Sequence, residues 1–328
     1  MSEQLPNDPL VVGVDFGGTH LRAALVKPDG TILEQLKRET QSHLGPEKVV
    51  ARIVEAVEDM VKHAPEGSDV AALGVIAPGP LDPFKGIIYN APNLPGWEEV
   101  SLADELTRRV ALPVWLGNDA NLAALAEHRY GAGVGFRNMI YITVSTGVGT
   151  GFIVNDQLVL GEQGLAGEGG HMIILPDGPL CNCGNRGCVE ALASGTNIAI
   201  EAQARLERGM ESSLSTRPKP LTAIDVTQAA MAGDPMATHT IARAGYYLGI
   251  AIANLSHLFN PGRFVIGGGV SNAGELLLGP ARRSAVQHLM LGYRDSLDIV
   301  LAKLGDNVGL LGAAALAFTH LEPLPRAQ

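Results

Sequence analysis

The chain has 328 residues, enough for about two domains at ~150 residues each and for at least one full hydrophobic core. Its hydrophobic fraction of 46% fits an ordinary globular protein, and 34 acidic against 24 basic side chains leave a net charge of -10, which opposes any broad footprint on nucleic-acid phosphates. The N-terminus carries Glu3 and Asp8 with neither a basic nor an apolar signal region, and the longest apolar stretch, near residues 308–318, falls short of the ~18–20 residues that span a bilayer. A cytoplasmic protein is expected, with no nucleic-acid partner and no membrane partner.

In chain order, apolar runs at residues 10–14 and 21–26 flank the turn Asp15-Phe16-Gly17-Gly18-Thr19 and predict a β-hairpin. A polar turn at residues 27–30 leads to a further short strand. Residues 46–63 carry Val50, Ile53, Val54, Val57, Met60 and Val61 at helical spacing behind Pro46, which predicts a helix with one buried face. Residues 70–76 and 113–116 predict buried strands that deliver loops at Ala77-Pro78-Gly79-Pro80 and at Gly117-Asn118-Asp119, and a helix over residues 122–130 follows the second. A second hairpin, residues 138–144 and 151–154 around Ser145-Thr146-Gly147-Val148-Gly149-Thr150, echoes the first about 130 residues later and implies two related α/β halves. Helices then alternate with one more strand, residues 263–266, which runs into Gly267-Gly268-Gly269, while residues 212–220 read as a surface loop. The expected division is a smaller α/β domain over residues 1–117, on which a C-terminal helix over about 308–328 packs back, and a larger α/β domain over residues 118–307.

The 40 glycines, well above a usual ~7%, call for tight turns or close backbone approach to a ligand. Asp15 beside Gly17, Gly18 and Thr19 would let backbone N–H groups and a hydroxyl approach phosphate oxygens, with the carboxylate able to hold hydrated Mg2+; the same residues also suit an ordinary Gly-Gly hairpin. The turn at Ser145, Thr146 and Gly147 repeats that chemistry. Neither turn has the Gly-Lys-Ser/Thr of a P-loop and neither opens a helix as a dinucleotide fingerprint does, so this is phosphate binding of another architecture. Gly267, Gly268 and Gly269 are either a helix-entry turn or a place where a flat adenine ring approaches the backbone. Asp119, between a strand and a helix, is either an N-cap or a general base that accepts a hydroxyl proton as that oxygen attacks a γ-phosphoryl group, with Asn118 as a substrate hydrogen-bond partner.

The three cysteines, Cys181, Cys183 and Cys188, fall within eight residues and with His171 can close a tetrahedral Cys3His set around one structural zinc. Buried free thiols are one alternative; a zinc ribbon for nucleic acid is another, poorly served by a single arginine, Arg186, in so acidic a chain. Glu168 and Glu190 flank the ligands, either as exposed loop charges or as carboxylates aimed at sugar hydroxyls.

These turns, together with Pro92-Asn93-Leu94-Pro95-Gly96-Trp97, Gly117-Asn118-Asp119-Ala120-Asn121, Gly167-Glu168-Gly169-Gly170-His171 and the run from Cys181 to Glu190, resemble the ROK family of sugar kinases and regulators, within the actin-like ATPase superfamily. The likeness covers Val12 to about Ala315 and is strongest to bacterial glucokinases of that family. It implies two actin-like (ribonuclease H-like) α/β domains around a central cleft, with a small zinc loop over residues 171–190. It implies ATP-dependent phosphorylation of glucose at the 6-hydroxyl, with Asp119 as the general base. By the same match Gly79, Asn93, Asn118, Asp119, Glu168, His171 and Glu190 fall at sugar-binding positions. Thr146, Gly147, Gly267, Gly268 and Gly269 fall at nucleotide-binding positions, joining Asp15, Gly17, Gly18 and Thr19 as residues for ATP with Mg2+. His171 would serve both zinc and sugar, and the resemblance implies a homodimer or homotetramer.

Two departures stand out: His20, where related kinases often carry Lys or Asn, and Gly169, where Ile is common. Other ROK hexose kinases, acting on N-acetylglucosamine, N-acetylmannosamine, mannose or fructose, remain alternatives at this point, as does a sugar-sensing ROK protein without catalysis. Retention of Asp15, Asp119 and both glycine turns argues against the sensor. A ROK transcriptional regulator needs a helix-turn-helix ahead of the first glycine turn, where fourteen residues precede Asp15.

Overall fold

Alternation along the first strand, β1 (Leu10–Phe16), sets the layering of the N-terminal part: Leu10, Val12, Val14 and Phe16 face one way, and Val11 and Gly13 the other. The computed structural model of the protein describes residues 9–91 and 94–321. In it, β1 pairs antiparallel with β2 (His20–Val26), which pairs with β3 (Ile32–Glu39). Helix α1 (Pro46–Lys62) leads to β4 (Val70–Ile76), parallel to β1. Three short strands, β5 (Leu81–Asp82), β6 (Ile87–Asn90) and β7 (Glu98–Val100), form a small sheet of their own. Helix α2 (Leu102–Val110) precedes β8 (Val114–Gly117), parallel to β4, and α3 (Asp119–Tyr130) follows it. Phe16, Val14 and Val75 bury against α1 and α2 through Ile53, Val57, Met60 and Leu106.

The same arrangement recurs. Strands β9 (Met139–Val144) and β10 (Val148–Val154) form a hairpin, and β11 (Gln157–Leu158) pairs with β10. After α4 (Val189–Ala193), α5 (Gly195–Glu207), α6 (Ala223–Met231) and α7 (Pro235–Phe259), β12 (Arg263–Gly267) runs parallel to β9. Then come α8 (Glu275–His288), α9 (Leu291–Arg294) and β13 (Ile299–Leu301), the last parallel to β12. The orders β3-β2-β1-β4-β8 and β11-β10-β9-β12-β13 are equivalent, three antiparallel strands followed by two parallel ones. These are the two related α/β halves that the echoed glycine turns implied, in the duplicated actin-like arrangement that the family resemblance implied. Residues 212–220, expected as a loop, are held down by Asp234: its Oδ2 accepts from the Ser212 and Ser213 hydroxyls while Oδ1 caps α7 by accepting the N–H of Ala237 at 2.9 Å.

The chain ends in α10 (Val308–Leu321), buried from Gly309 to Phe318. It is apolar on all sides because protein covers all sides, with β1 and β4 against one flank and α3 against another. Among the described residues no helix is long and apolar enough to cross a membrane. The chain divides into two compact units, Met1–Val134 with Leu160–Ala166 and Leu304–Gln328, and Gly135–Val159 with Gly167–Lys303. The break falls at Gly135, where residue 118 was expected, because α3 packs beneath α10: Ala126 shares a core cluster with Leu310, Leu311 and Ala314. Helix α3 also starts three residues earlier than the periodicity suggested, and the second turn is confined to Ser145-Thr146-Gly147, since Val148 already belongs to β10. The expected helix beyond residue 321 lies outside the described residues.

Helix α10 lies on the sheet over two glycines. A Cβ at Gly74 would sit 1.8 Å from the Ala313 carbonyl oxygen, and one at Gly13 would sit 2.4 Å from that of Leu310. Backbone atoms of a buried helix cannot rotate aside, so Gly74→Ala is expected to destabilise the protein by about 3 kcal/mol, the upper end of overpacking effects. Gly17→Ala, where nothing lies within 4 Å of the added carbon, should leave the urea midpoint nearly unchanged. Equal midpoints for the two variants would contradict the close approach of α10.

Candidate active site and metal centre

In the first unit, the adjacent parallel strands β4 and β8 release their loops side by side, with the Ala77 N–H donating to the Gly117 carbonyl at 3.1 Å. Gly79 and the pair Asn118 and Asp119 therefore emerge at the same sheet end. Asn118 is the N-cap of α3: its Oδ1 accepts the N–H of Asn121 at 2.8 Å, which leaves its amide NH2 for a ligand. Asp119 is thus not the cap. It is the first helical residue, exposed, its Oδ1 accepting the N–H of Ala120 at 2.8 Å. Asn93 lies outside the described residues.

The first glycine turn opens on a cavity of about 930 Å3 whose lining includes Asp15, Gly17, Gly18, Thr19 and His20. His20, the departure from Lys or Asn, thus shares a cavity with the turn it follows. Arg22 also lines it and makes a salt bridge to Asp15.

In the second unit, the Ser145-Thr146-Gly147 turn is braced from α5, since the Thr146 carbonyl accepts the Thr196 hydroxyl at 2.9 Å and the Ser145 carbonyl accepts the Gly195 N–H at 2.7 Å. Ser145, Thr146 and Gly269 line a cavity of about 880 Å3 with α5 and α6, whereas Gly147, Gly267 and Gly268 do not. At the last two a side chain would meet protein atoms: a Cβ at Gly267 would lie 2.2 Å from the Tyr141 hydroxyl, and one at Gly268, where φ is +85°, would lie 2.4 Å from the Val144 carbonyl oxygen. Sequence reading did not find the apolar wall of this cavity, Ile200, Ile224 and Met231, which are 59%, 68% and 64% exposed. Their signal is apolar side chains on the solvent side of helices, invisible until the buried face is known.

Beside that turn lies the cysteine cluster. The Nδ1 of His171 stands 3.6 Å from Cys181 Sγ, and Cys183 Sγ stands 3.7 Å from Cys188 Sγ; all four ligand atoms lie within 4.8 Å of one another. A tetrahedral zinc with bonds of ~2.3 Å to sulfur and ~2.05 Å to nitrogen has S···S edges of about 3.8 Å and N···S edges of about 3.6 Å, so these two edges match that ion, and four such donors would leave it no open position. Gly187 shapes the loop, since a Cβ there, at φ +70°, would fall 1.6 Å from the Leu175 carbonyl oxygen. Burial pushes the Cys188 thiol up to about 12, while a hydrogen bond from the Asn185 backbone holds exposed Cys183 near 7.

The two flanking carboxylates differ. Glu168 is exposed, with Oε2 3.9 Å from His171 Nε2, the ring nitrogen turned away from the cysteines. Half-buried Glu190 joins cluster to turn: its Oε1 stands 3.8 Å from Cys181 Sγ and its Oε2 accepts the Val148 N–H at 3.0 Å. A Cβ at Gly147 would meet that Oε2 at 2.4 Å, so glycine leaves the carboxylate room to reach the turn. The Gly169 departure has a local counterpart, because the Thr150 side chain occupies the space, its Oγ1 accepting the Gly169 N–H at 2.9 Å and donating to the Gly167 carbonyl.

The ROK family model matches residues 11–320. A glucokinase of Thermotoga maritima is 37% identical over 309 residues, covering 93% of this chain and 96% of its own. A glucokinase of Halalkalibacterium halodurans is 39% identical over 315 residues, covering 94% and 95%. The crystal structure of a ROK family glucokinase from Streptomyces griseus in complex with glucose and AMPPNP is 38% identical, covers 94% of this chain and 99% of its own, and superposes with a TM-score of 0.77. With its duplicated sheets, its two glycine turns and its Cys3His cluster, this chain belongs to the ROK family.

Proposed function

We infer that this chain is an ATP-dependent glucokinase, which transfers the γ-phosphoryl group of ATP to the 6-hydroxyl of glucose. The observation that carries this reading is its likeness, over almost its whole length, to glucokinases and to a relative that holds glucose with an ATP analogue. Asp119 is proposed as the general base. Its exposed carboxylate stands at the first turn of α3 with the cap function already met by Asn118, so it is available to take the proton of the attacking hydroxyl. Asn118, Gly79, Glu168, His171 and Glu190 are proposed to meet sugar hydroxyls, as is Asn93 on the family match alone.

For the nucleotide, the cavity between α5 and α6 offers apolar side chains for a flat base, with Thr146 and Gly269 also in its lining. Asp15 supplies the hard oxygen donor that suits Mg2+, and Mg2+ bound with ATP would neutralise charge on the transferring phosphoryl group. Zinc in the Cys3His set would be structural, and it would also fix His171: with Nδ1 on the metal, Nε2 carries the hydrogen and can donate to a sugar hydroxyl. Thiols gathered for a metal instead of paired suit a reducing cytoplasm, where phosphorylation of glucose feeds glycolysis. A homo-oligomer is proposed, supported by exposed Leu258, Met290 and Leu291 on the second unit.

In a coupled assay of ADP release over a panel of hexoses, glucose is expected to give the highest kcat/KM. An N-acetylated hexosamine, mannose or fructose in first place would replace glucose while leaving the kinase reading intact, and no hexose-dependent ADP release would remove that reading. Asp119→Asn should keep the fold and change glucose affinity little, while kcat falls about 10²-fold or more, the usual contribution of a general base. A variant that retains over a tenth of the wild-type kcat would exclude Asp119 from that role.

A further inference from the structure

The carboxylate of Asp15 has a partner built into the sheet. Asp15 stands opposite Arg22 in the β1–β2 register, and the guanidinium Nη2 donates to Asp15 Oδ2. The other arm, Nη1, donates to the Asp306 carbonyl at 2.7 Å, just ahead of α10. Asp15 Oδ2 also lies against the start of that helix, where a Cβ on Gly309 would come within 2.5 Å of it. Among the described residues no hydrogen bond reaches Oδ1. Both side chains are about three-quarters buried, at 23% and 28% exposure, so this pair is not a solvated surface contact.

We propose that Arg22 is a positioning residue for phosphoryl transfer: it locks Asp15 through Oδ2 so that Oδ1 faces the cavity beside the Gly17-Gly18-Thr19 turn, ready for the water shell of the nucleotide's divalent cation. The inference rests on the kinase reading. Mg2+ tolerates little departure from octahedral geometry and keeps several of its waters, so an acceptor for those waters must be held in one orientation. A carboxylate with one oxygen fixed cannot turn about its last torsion. Arginine is suited to the task because its planar fork engages Asp15 with one arm and the Asp306 carbonyl with the other, which a lysine ammonium cannot do in one plane. Its charge also offsets the negative carboxylate that incoming phosphates would otherwise meet.

The test compares wild type, Arg22→Met, Arg22→Lys, Asp15→Asn and the Asp15→Asn/Arg22→Met double variant. Binding of Mn2+ to each protein with AMPPNP is read from the electron paramagnetic resonance signal of free Mn2+, alongside kcat, the KM values and the urea midpoint. Arg22→Met is expected to weaken Mn2+ binding about tenfold, the usual effect of removing a group that orients a metal's surroundings, with glucose KM within about twofold of wild type. Arg22→Lys should recover only part of that loss. In the Asp15→Asn background, Arg22→Met should add nothing further, because the residue acts through Asp15. Additive losses, or normal Mn2+ binding by Arg22→Met with only a lowered urea midpoint, would overturn the proposal and leave Arg22 as a pin for α10. Absence of hexose-dependent turnover in the wild type would instead remove the kinase reading, and the Mn2+ measurement would still decide the role of Arg22.

Discussion

Three sulfurs and one imidazole nitrogen converge across residues 171–188, a stretch whose regular structure amounts to little more than the 3-10 turn Gly169–His171. Such a segment buries little apolar surface of its own. Backbone hydrogen bonds hold it, among them the Cys181 N–H to the Asn185 carbonyl at 2.8 Å and the Gly187 N–H to the Pro179 carbonyl at 2.9 Å, and a metal at the cluster would add ordering of the kind that a hydrophobic core supplies elsewhere. In the proposed reading, much of the second unit's chemistry hangs on this cluster. The ring of His171 has one nitrogen toward Cys181 and the other toward Glu168. Glu190 reaches from Cys181 to the Val148 N–H and so joins the cluster to the glycine turn.

The first unit is ordered around its turn by packing instead. Small residues on one face of β1 and β4 bring α10 against the sheet, and the start of that helix then lies beside Asp15 and Arg22. Both units place their candidate site loops at the same points of the repeated topology: at the hairpin between the first two strands, and after the C-terminal ends of the parallel strands. One unit stabilises its turn with an ion pair and a helix end. The other does so with a carboxylate tied to a cysteine cluster.

Much of this was legible in the sequence because the signals were local. Glycines beside Asp15, cysteines within eight residues and strands ending in polar loops each carry their chemistry in consecutive positions. What escaped depends on contacts between distant segments. The boundary was expected at residue 118 because a strand ends there, yet the packing of Ala126 under α10 moves α3 into the first unit. The strands β5, β6, β7, β11 and β13 have two to four residues each, too few to show alternation. Asp119 could be read as a cap until the structure gave that role to Asn118, and the Ile200, Ile224 and Met231 wall emerged only when α5 and α6 met.

Isothermal titration calorimetry on as-purified and chelator-stripped protein addresses the central dependence on the metal cluster most directly. One zinc per chain is expected in the purified protein by elemental analysis. Stripping it should abolish or greatly weaken glucose binding while AMPPNP binding persists, and added Zn2+ should restore the first. Unchanged glucose affinity after complete removal of the metal would contradict the account.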